Sequence, residues 1–166
     1  MRSAEAANDY ATTVDVLLEA LLGYERQGVT VELACCVYPT APFVTAEDLI
    51  DGLEQMMAAR FDSLFPVARF DYSIWRSLAR DDLGRLSMNF PEHLDSRSQD
   101  LPDAYHDAGQ WYWFNPVALK RNRELIGDNT GSVVLSSDRV QDIDTEEDWR
   151  QAELMFNWRM RRGSAD

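Results

Sequence analysis

The sequence has 166 residues, 45% of them apolar and 27% charged, with a formal net charge of −13 and a pI near 4.5. This composition predicts one globular domain, which we place at residues 1–162 with a loose tail at 163–166. Such an acidic surface repels phosphates, so we expect no nucleic-acid and no membrane partner. The adjacent Cys35 and Cys36 form no disulfide framework, and we find neither signal peptide nor membrane-spanning run. We therefore expect a cytoplasmic protein.

The first half of the chain alternates between helical and strand patterns. The predicted elements are a helix with apolar residues from Val14 to Leu22, a covered strand at Val29–Tyr38, a helix after the capping pair Thr45 and Asp48, and a strand at Ser63–Phe70. Pro66 lacks a backbone N–H, so it predicts an edge or a bulge within the last of these strands.

The second half begins with a predicted hairpin and returns to the same alternation. The predicted elements are the hairpin Ile74–Asn89, an aromatic strand at Gly109–Phe114, a helix from Asn115 through Leu125, a strand at Ser132–Leu135 and a last helix capped by Thr145 and Asp148. Strands that alternate with helices indicate an α/β fold with a mostly parallel sheet flanked by helices.

The acidic motif Asp142-Ile143-Asp144 directly precedes the last predicted helix. Two carboxylates at a strand end are hard oxygen ligands, which suit Mg²⁺, and Mg²⁺ in turn suits phosphates. The alternative is that these acids only complement the positive end of the helix dipole. The pattern leaves both interpretations open.

Arg97 lies in a predicted loop, where its guanidinium could hold a carboxylate through two parallel hydrogen bonds. The alternative is a surface arginine paired with Asp95 or Asp100. Two further segments follow the same logic. Tyr105–Tyr112 could line a sugar pocket or form a turn and a core strand, and Tyr38–Phe43 could border a ligand or be a stiff turn.

The order of these motifs along the chain is more specific than any one of them. Taken together, Cys35–Phe43, Arg97–Leu101, Tyr105–Trp113 and Gln141–Trp149 resemble the acylneuraminate cytidylyltransferase family, and most closely its pseudaminic acid branch. The resemblance runs from about Ala7 to Phe156. It implies a Rossmann-like, mostly parallel sheet with an inserted dimerisation hairpin, for which Ile74–Asn89 is the counterpart. A homodimer is therefore expected.

The resemblance also implies a reaction and a set of site residues. The substrates are CTP and a nine-carbon keto-sugar acid, and the products are a CMP-sugar and pyrophosphate. Asp142 and Asp144 are implied to hold Mg²⁺, and Arg97 to act beside them in catalysis. The residues implied to contact substrate are Tyr38, Pro39, Thr40, Gln99, Asp107, Gly109, Gln110 and Tyr112. The sialic-acid branch has glutamine at the position of Tyr38, and the sugar could also be sialic or legionaminic acid.

One family feature has no counterpart in the sequence. The family begins with a strand, then a loop rich in glycine, arginine and lysine that holds the CTP phosphates, and then a second strand. The first of these strands would lie beside the apolar run Val29–Tyr38 in the sheet. We therefore expect these 166 residues to turn over CTP poorly on their own. The alternative function is a non-catalytic remnant that dimerises or binds sugar without using CTP.

Overall fold

The computed structural model describes residues 11–163, and side chains as far as residue 161. Its helices are α1 (Thr13–Arg26), α2 (Ala46–Ala59), α3 (Pro116–Asn122) and α4 (Glu146–Gly163). Its strands are β1 (Ala34–Val37), β2 (Ser63–Arg69), β3 (Leu78–Arg80), β4 (Leu86–Met88), β5 (Tyr105–Asp107), β6 (Trp111–Phe114) and β7 (Thr130–Leu135). The predicted α/β class is confirmed. No helix within this part of the chain is both long enough and apolar enough to cross a membrane.

The main sheet is mixed and centres on β2. One side of β2 pairs in parallel with β7, and the other side pairs antiparallel with β6 at its beginning and with β5 at its end. β1 adds to the far side of β6, also antiparallel. Three of these four pairings are antiparallel, so the mostly parallel sheet that we predicted is wrong for the described strands. Apolar periodicity records which faces a strand buries but not the direction in which it runs.

A large bulge, with several extra residues and not one, separates β5 from β6. Asp107 pairs with Val67 and Trp113 with Leu64, so two residues of β2 stand opposite five residues of the other strand. Pro66 lies on β2 at this interruption, where its carbonyl accepts a hydrogen bond of 3.0 Å from the Ala108 N–H. The edge or bulge that Pro66 predicted within β2 is therefore wrong, because β2 is a continuous central strand and the extra residues lie on the opposite strand, between β5 and β6.

Helices cover both faces of the main sheet. One core cluster joins Leu21 of α1 and Leu119 of α3 to Phe65 and Tyr112 of the sheet. The other joins Met56 of α2 to the opposite-facing residues of the sheet, including Leu64 and Trp111. This arrangement confirms the flanking helices, and it fixes the ends of β1 and β6 between two packed layers.

The bounds of several predicted elements differ from the structure. The strands predicted at Ser63–Phe70, Gly109–Phe114 and Ser132–Leu135 differ by one or two residues at one end, since they span Ser63–Arg69, Trp111–Phe114 and Thr130–Leu135. The strand predicted at Val29–Tyr38 is only Ala34–Val37, because β6 offers it four pairing residues. The helix predicted through Leu125 ends at Asn122, where Arg123 adopts a left-handed conformation with φ 56°. Gly163, the predicted start of the tail, is the last residue of α4. The rest of the tail and residues 1–10 lie outside the described residues.

The predicted hairpin is present as a separate two-stranded sheet, but Ile74–Arg76, at the start of its predicted range, forms a 3₁₀ turn before β3. β3 and β4 pair antiparallel with each other, and Asp81 closes the turn between them. Asp81 accepts hydrogen bonds from the N–H groups of Leu83 and Arg85, at 3.0 and 2.8 Å. The hairpin shares no strand pairing with the main sheet among the described residues.

Candidate active site

The bulge between β5 and β6 brings Asp107, Gly109 and Tyr112 into direct contact. The Tyr112 hydroxyl donates a hydrogen bond of 2.7 Å to one carboxylate oxygen of Asp107. The Gly109 N–H donates one of 2.8 Å to the other oxygen. Gly109 has a φ of +63°, which a residue with a side chain adopts only at a cost. Burial, followed by the hydrogen bond and the charge of Asp107, raises the pKa of Tyr112, so the phenol stays a neutral donor.

Tyr38 joins this group from the end of β1. Its ring lies 5.3 Å from that of Tyr112, centroid to centroid, at a tilt of 48°. Its backbone N–H donates 2.9 Å to the Gln110 carbonyl, and its hydroxyl lies 2.7 Å from that of Thr13. The loop that continues from it, with Pro39 and Thr40 exposed, therefore starts beside the bulge.

Asp142 comes to the same place from the segment after β7. Its carboxylate stands over Gly109, where an added Cβ would lie 3.5 Å from Cγ and from Oδ1. The Ile143 N–H donates 3.1 Å to Oδ1, and the Asp144 N–H donates 3.2 Å to Asp148 at the start of α4. Asp142 and Asp144 are both exposed, and neither pairs with a cation among the described side chains.

These two carboxylates fit a weakly held Mg²⁺ better than a closed metal site. Within residues 11–161, no three His, Cys, Asp or Glu side chains are placed to share one ion. Mg²⁺ keeps several waters and is commonly bound through one or two carboxylates together with substrate phosphates. Asp142 and Asp144 would supply the two carboxylates of such a site.

Gln110 has a different environment from the one predicted. Its side chain is 1% exposed, and its Nε2 donates 2.6 Å to the carbonyl of Arg139. Its Oε1 has no hydrogen-bond partner among the described residues. The amide therefore ties the bulge to the segment after β7, and a substrate contact from this side chain stays a prediction.

Arg97 and Gln99 lie apart from these contacts, around a 3₁₀ turn at Ser98–Asp100. The Arg97 guanidinium forks onto Asp100, with N–O distances of 2.7 and 3.0 Å. This is one of the two pairings that the sequence left open. Gln99 lines an open cavity of about 390 Å³ together with Arg69 and Tyr72.

A second cavity begins where the first one ends. It has a volume of about 360 Å³ and shares Arg69–Tyr72 with the first. Its other walls are His106 of β5 and Val140, two residues before Asp142. The residues at 69–72 therefore separate the Gln99 loop from the segment that carries the carboxylates. No motif in the sequence singled out Arg69, Tyr72 or Arg139.

The chain is similar to several curated cytidylyltransferases. A pseudaminic acid cytidylyltransferase of Campylobacter jejuni is 30% identical over 156 residues, which is 94% of this chain and 67% of that protein. A Helicobacter pylori protein named as a pseudaminic acid cytidylyltransferase and a UDP-sugar hydrolase is 31% identical over 86% of this chain and 27% of its own length. N-acylneuraminate cytidylyltransferase A of Danio rerio is 24% identical over 92% of this chain and 34% of that protein. No protein-family profile matches the sequence.

Proposed function

We propose, because the chain belongs to the acylneuraminate cytidylyltransferase family, that its site transfers CMP from CTP to a nine-carbon keto-sugar acid, with pseudaminic acid as the substrate. The anomeric hydroxyl oxygen attacks the α-phosphorus and loses its proton, and the bond to the β-phosphate oxygen breaks to release pyrophosphate. The observation that supports this reaction is the position of the Asp142 carboxylate beside Gly109, whose backbone N–H binds Asp107.

Asp142 and Asp144 are proposed to hold Mg²⁺. When bound, the ion neutralises phosphate charge and orients the triphosphate. The protein itself carries a net charge of −13, so it cannot offer CTP a generally positive surface. A divalent cation bound by two exposed carboxylates would reduce the repulsion between CTP and the protein locally, while the rest of the surface stays negatively charged.

The residues of the bulge are proposed to bind the sugar. Asp107 is exposed and keeps carboxylate lone pairs beyond the two hydrogen bonds that it accepts, while the buried Tyr112, packed against Tyr38, holds it in place. Pro39, Thr40 and Gln99 border the same substrate from the neighbouring loops. Arg97 is proposed to take the sugar carboxylate in place of Asp100, since a guanidinium fork accepts either carboxylate in the same geometry.

The hairpin β3–β4 is proposed to form a homodimer. Leu78, Leu83 and Leu86 are 55%, 79% and 63% exposed on a two-stranded sheet that is marginal alone. A symmetric partner would cover the same leucines on both copies. We also propose a cytoplasmic location, where CTP is available and where Cys35 and Cys36 stay reduced, in keeping with the absence of a disulfide between them.

The test is CTP-dependent pyrophosphate release by the 166-residue protein with pseudaminic acid. We expect slow release that requires both substrates and a divalent cation and that disappears in Asp142→Asn and Asp144→Asn. Asp51→Asn, an exposed carboxylate on α2, is the control and should leave the rate unchanged. Release that is unaffected in both site variants would refute the assignment. Binding of pseudaminic acid without any pyrophosphate would instead support the non-catalytic alternative.

A further inference from the structure

The segment that carries the two carboxylates is fixed by Arg139, which lies in a 3₁₀ turn at Ser137–Arg139. Its guanidinium forms an ion pair with Asp48 at the start of α2. Asp48 is only 8% exposed, so this is a buried acid whose charge needs its partner. Arg139 therefore connects the segment after β7 to the helix on one face of the sheet.

The backbone of the same residue makes a second connection. The Arg139 carbonyl accepts the 2.6 Å hydrogen bond from the buried amide of Gln110. Gln110 follows Gly109 directly, and Gly109 is the residue over which Asp142 stands. One residue is thus held from both α2 and the bulge, three positions before Asp142.

The far end of the segment is held by the cap of α4. The Asp148 carboxylate accepts hydrogen bonds from the N–H groups of Asp144 and Thr145, at 3.2 and 2.9 Å. Asp142 and Asp144 therefore lie between two fixed points, Arg139 and Asp148. Of these points, Arg139 is the one that depends on a distant part of the chain, since Asp48 is 91 positions away.

We propose that the Asp48–Arg139 ion pair is a positioning element that sets Asp142 and Asp144 for a divalent cation. The proposal rests on the proposed function, because it takes the metal role of the two carboxylates from it. Partners that orient metal ligands without touching the ion commonly change metal affinity by tenfold or more when removed. Asp48 also caps α2 together with Thr45. If the role of the ion pair were purely structural, its removal would lower the stability of the protein and leave its metal affinity unchanged.

The chain contains a matched control for that structural role. Asp15 caps α1 through Thr12 in the same way that Asp48 caps α2 through Thr45. Asp15 also pairs with a distant arginine, Arg123, at 2.9 Å. Within residues 11–161, the hydrogen bonds and ion pairs of Asp15 and Arg123 do not involve the segment that carries Asp142. Asp15→Asn therefore removes the same kind of cap together with a more exposed ion pair, whose side chains are 64% and 44% exposed, without touching the proposed metal site.

The experiment measures Mn²⁺ binding to the 166-residue protein by calorimetry, with thermal unfolding alongside. We expect Asp48→Asn and Arg139→Gln to weaken Mn²⁺ binding by about tenfold, the lower end of the range for direct partners of metal ligands, because these two residues act one step further from the ion. Arg139→Lys should retain most of the affinity, because an ammonium can still pair with Asp48. Asp15→Asn should bind Mn²⁺ like the unaltered protein even though it unfolds at a lower temperature.

Two results would overturn the proposal, and they are distinguishable. Equal Mn²⁺ affinity in the unaltered protein and in Asp48→Asn would remove the positioning role and leave the metal site intact. Failure of the unaltered protein to bind Mn²⁺ at a site sensitive to Asp142→Asn would remove the metal site and the positioning role together. Should Asp48→Asn not fold, Arg139→Lys and Arg139→Gln decide, since a positioning role requires the first to bind more tightly than the second.

Discussion

Replacement of Gly109 by alanine separates the cost of a strained backbone from an effect on the site. Gly109 and Gly28 both have positive φ, at +63° and +76°. An alanine in this region costs about 1–2 kcal/mol, and the loss of glycine's freedom in the unfolded chain returns about 0.4–1 kcal/mol. Each variant should therefore lower the free energy of unfolding by about 1 kcal/mol, or the melting temperature by about 2–4 °C.

The two variants should differ only in what the new methyl group meets. At Gly28 nothing lies within 4 Å, whereas at Gly109 the methyl group lies 3.5 Å from the Asp142 carboxylate. That distance is an ordinary contact and adds no clash, but the methyl group covers one side of a proposed metal ligand. We expect Gly109→Ala to lose about tenfold in Mn²⁺ affinity and in pyrophosphate release, and Gly28→Ala to lose neither. Equal behaviour of the two variants in both assays would refute the placement of Asp142 at the site.

Four more outcomes follow from single contacts. Tyr112→Phe should lower the free energy of unfolding in urea by about 1.5–3 kcal/mol, because Asp107 loses a hydrogen bond, and should raise the KM for sugar. An unchanged urea midpoint would contradict this prediction. Arg97→Lys should raise the KM for sugar more than that for CTP, and equal increases would exclude a carboxylate contact. Leu86→Asp should convert a dimer to monomers in sedimentation, and a parent protein that is already monomeric would refute the hairpin interface. Burial, followed by the charge of Cys36, raises the pKa of Cys35 from 9.0 to about 11, so the folded state keeps a proton that the unfolded state loses. The free energy of unfolding should therefore fall as pH rises from 9.0 to about 11. The same dependence on pH in Cys35→Ala would contradict the prediction.

Local patterns in the sequence were sufficient for the helix starts. Both predicted capping boxes of the Thr-x-x-Asp type are present. The expected hydrogen bonds join Thr45 to Asp48 and Thr145 to Asp148. These interactions span three residues and depend on nothing else in the chain. The start of β2 at Ser63 was likewise predictable, because the strand is buried on both faces.

The sequence did not predict strand directions or the contacts between distant residues in the same way. The direction of β6 depends on its partners β1 and β2, and the sequence pattern of an aromatic strand is the same in either direction. The position of Asp142 beside Gly109 brings together residues 33 positions apart, as their numbers show, at a bulge that only the strand register reveals. The sequence did place both residues on the substrate side by family resemblance, but it gave no sign of Arg139 as the link between them.

The pairing of Arg97 with Asp100 is compatible with a role in substrate binding. Both side chains are largely exposed, at 71% and 52%, and an exposed ion pair contributes only about 0.2–1 kcal/mol. A sugar carboxylate that replaced Asp100 would accept the same two N–H bonds, while Asp100 would return to water at little cost. The Asp48–Arg139 pair is the opposite case, because its acid is buried and cannot be released without leaving an uncompensated charge. Two arginine–aspartate pairs in one protein thus suit different roles, an exchangeable one for binding an anion and a fixed one for holding the segment that carries the proposed metal ligands.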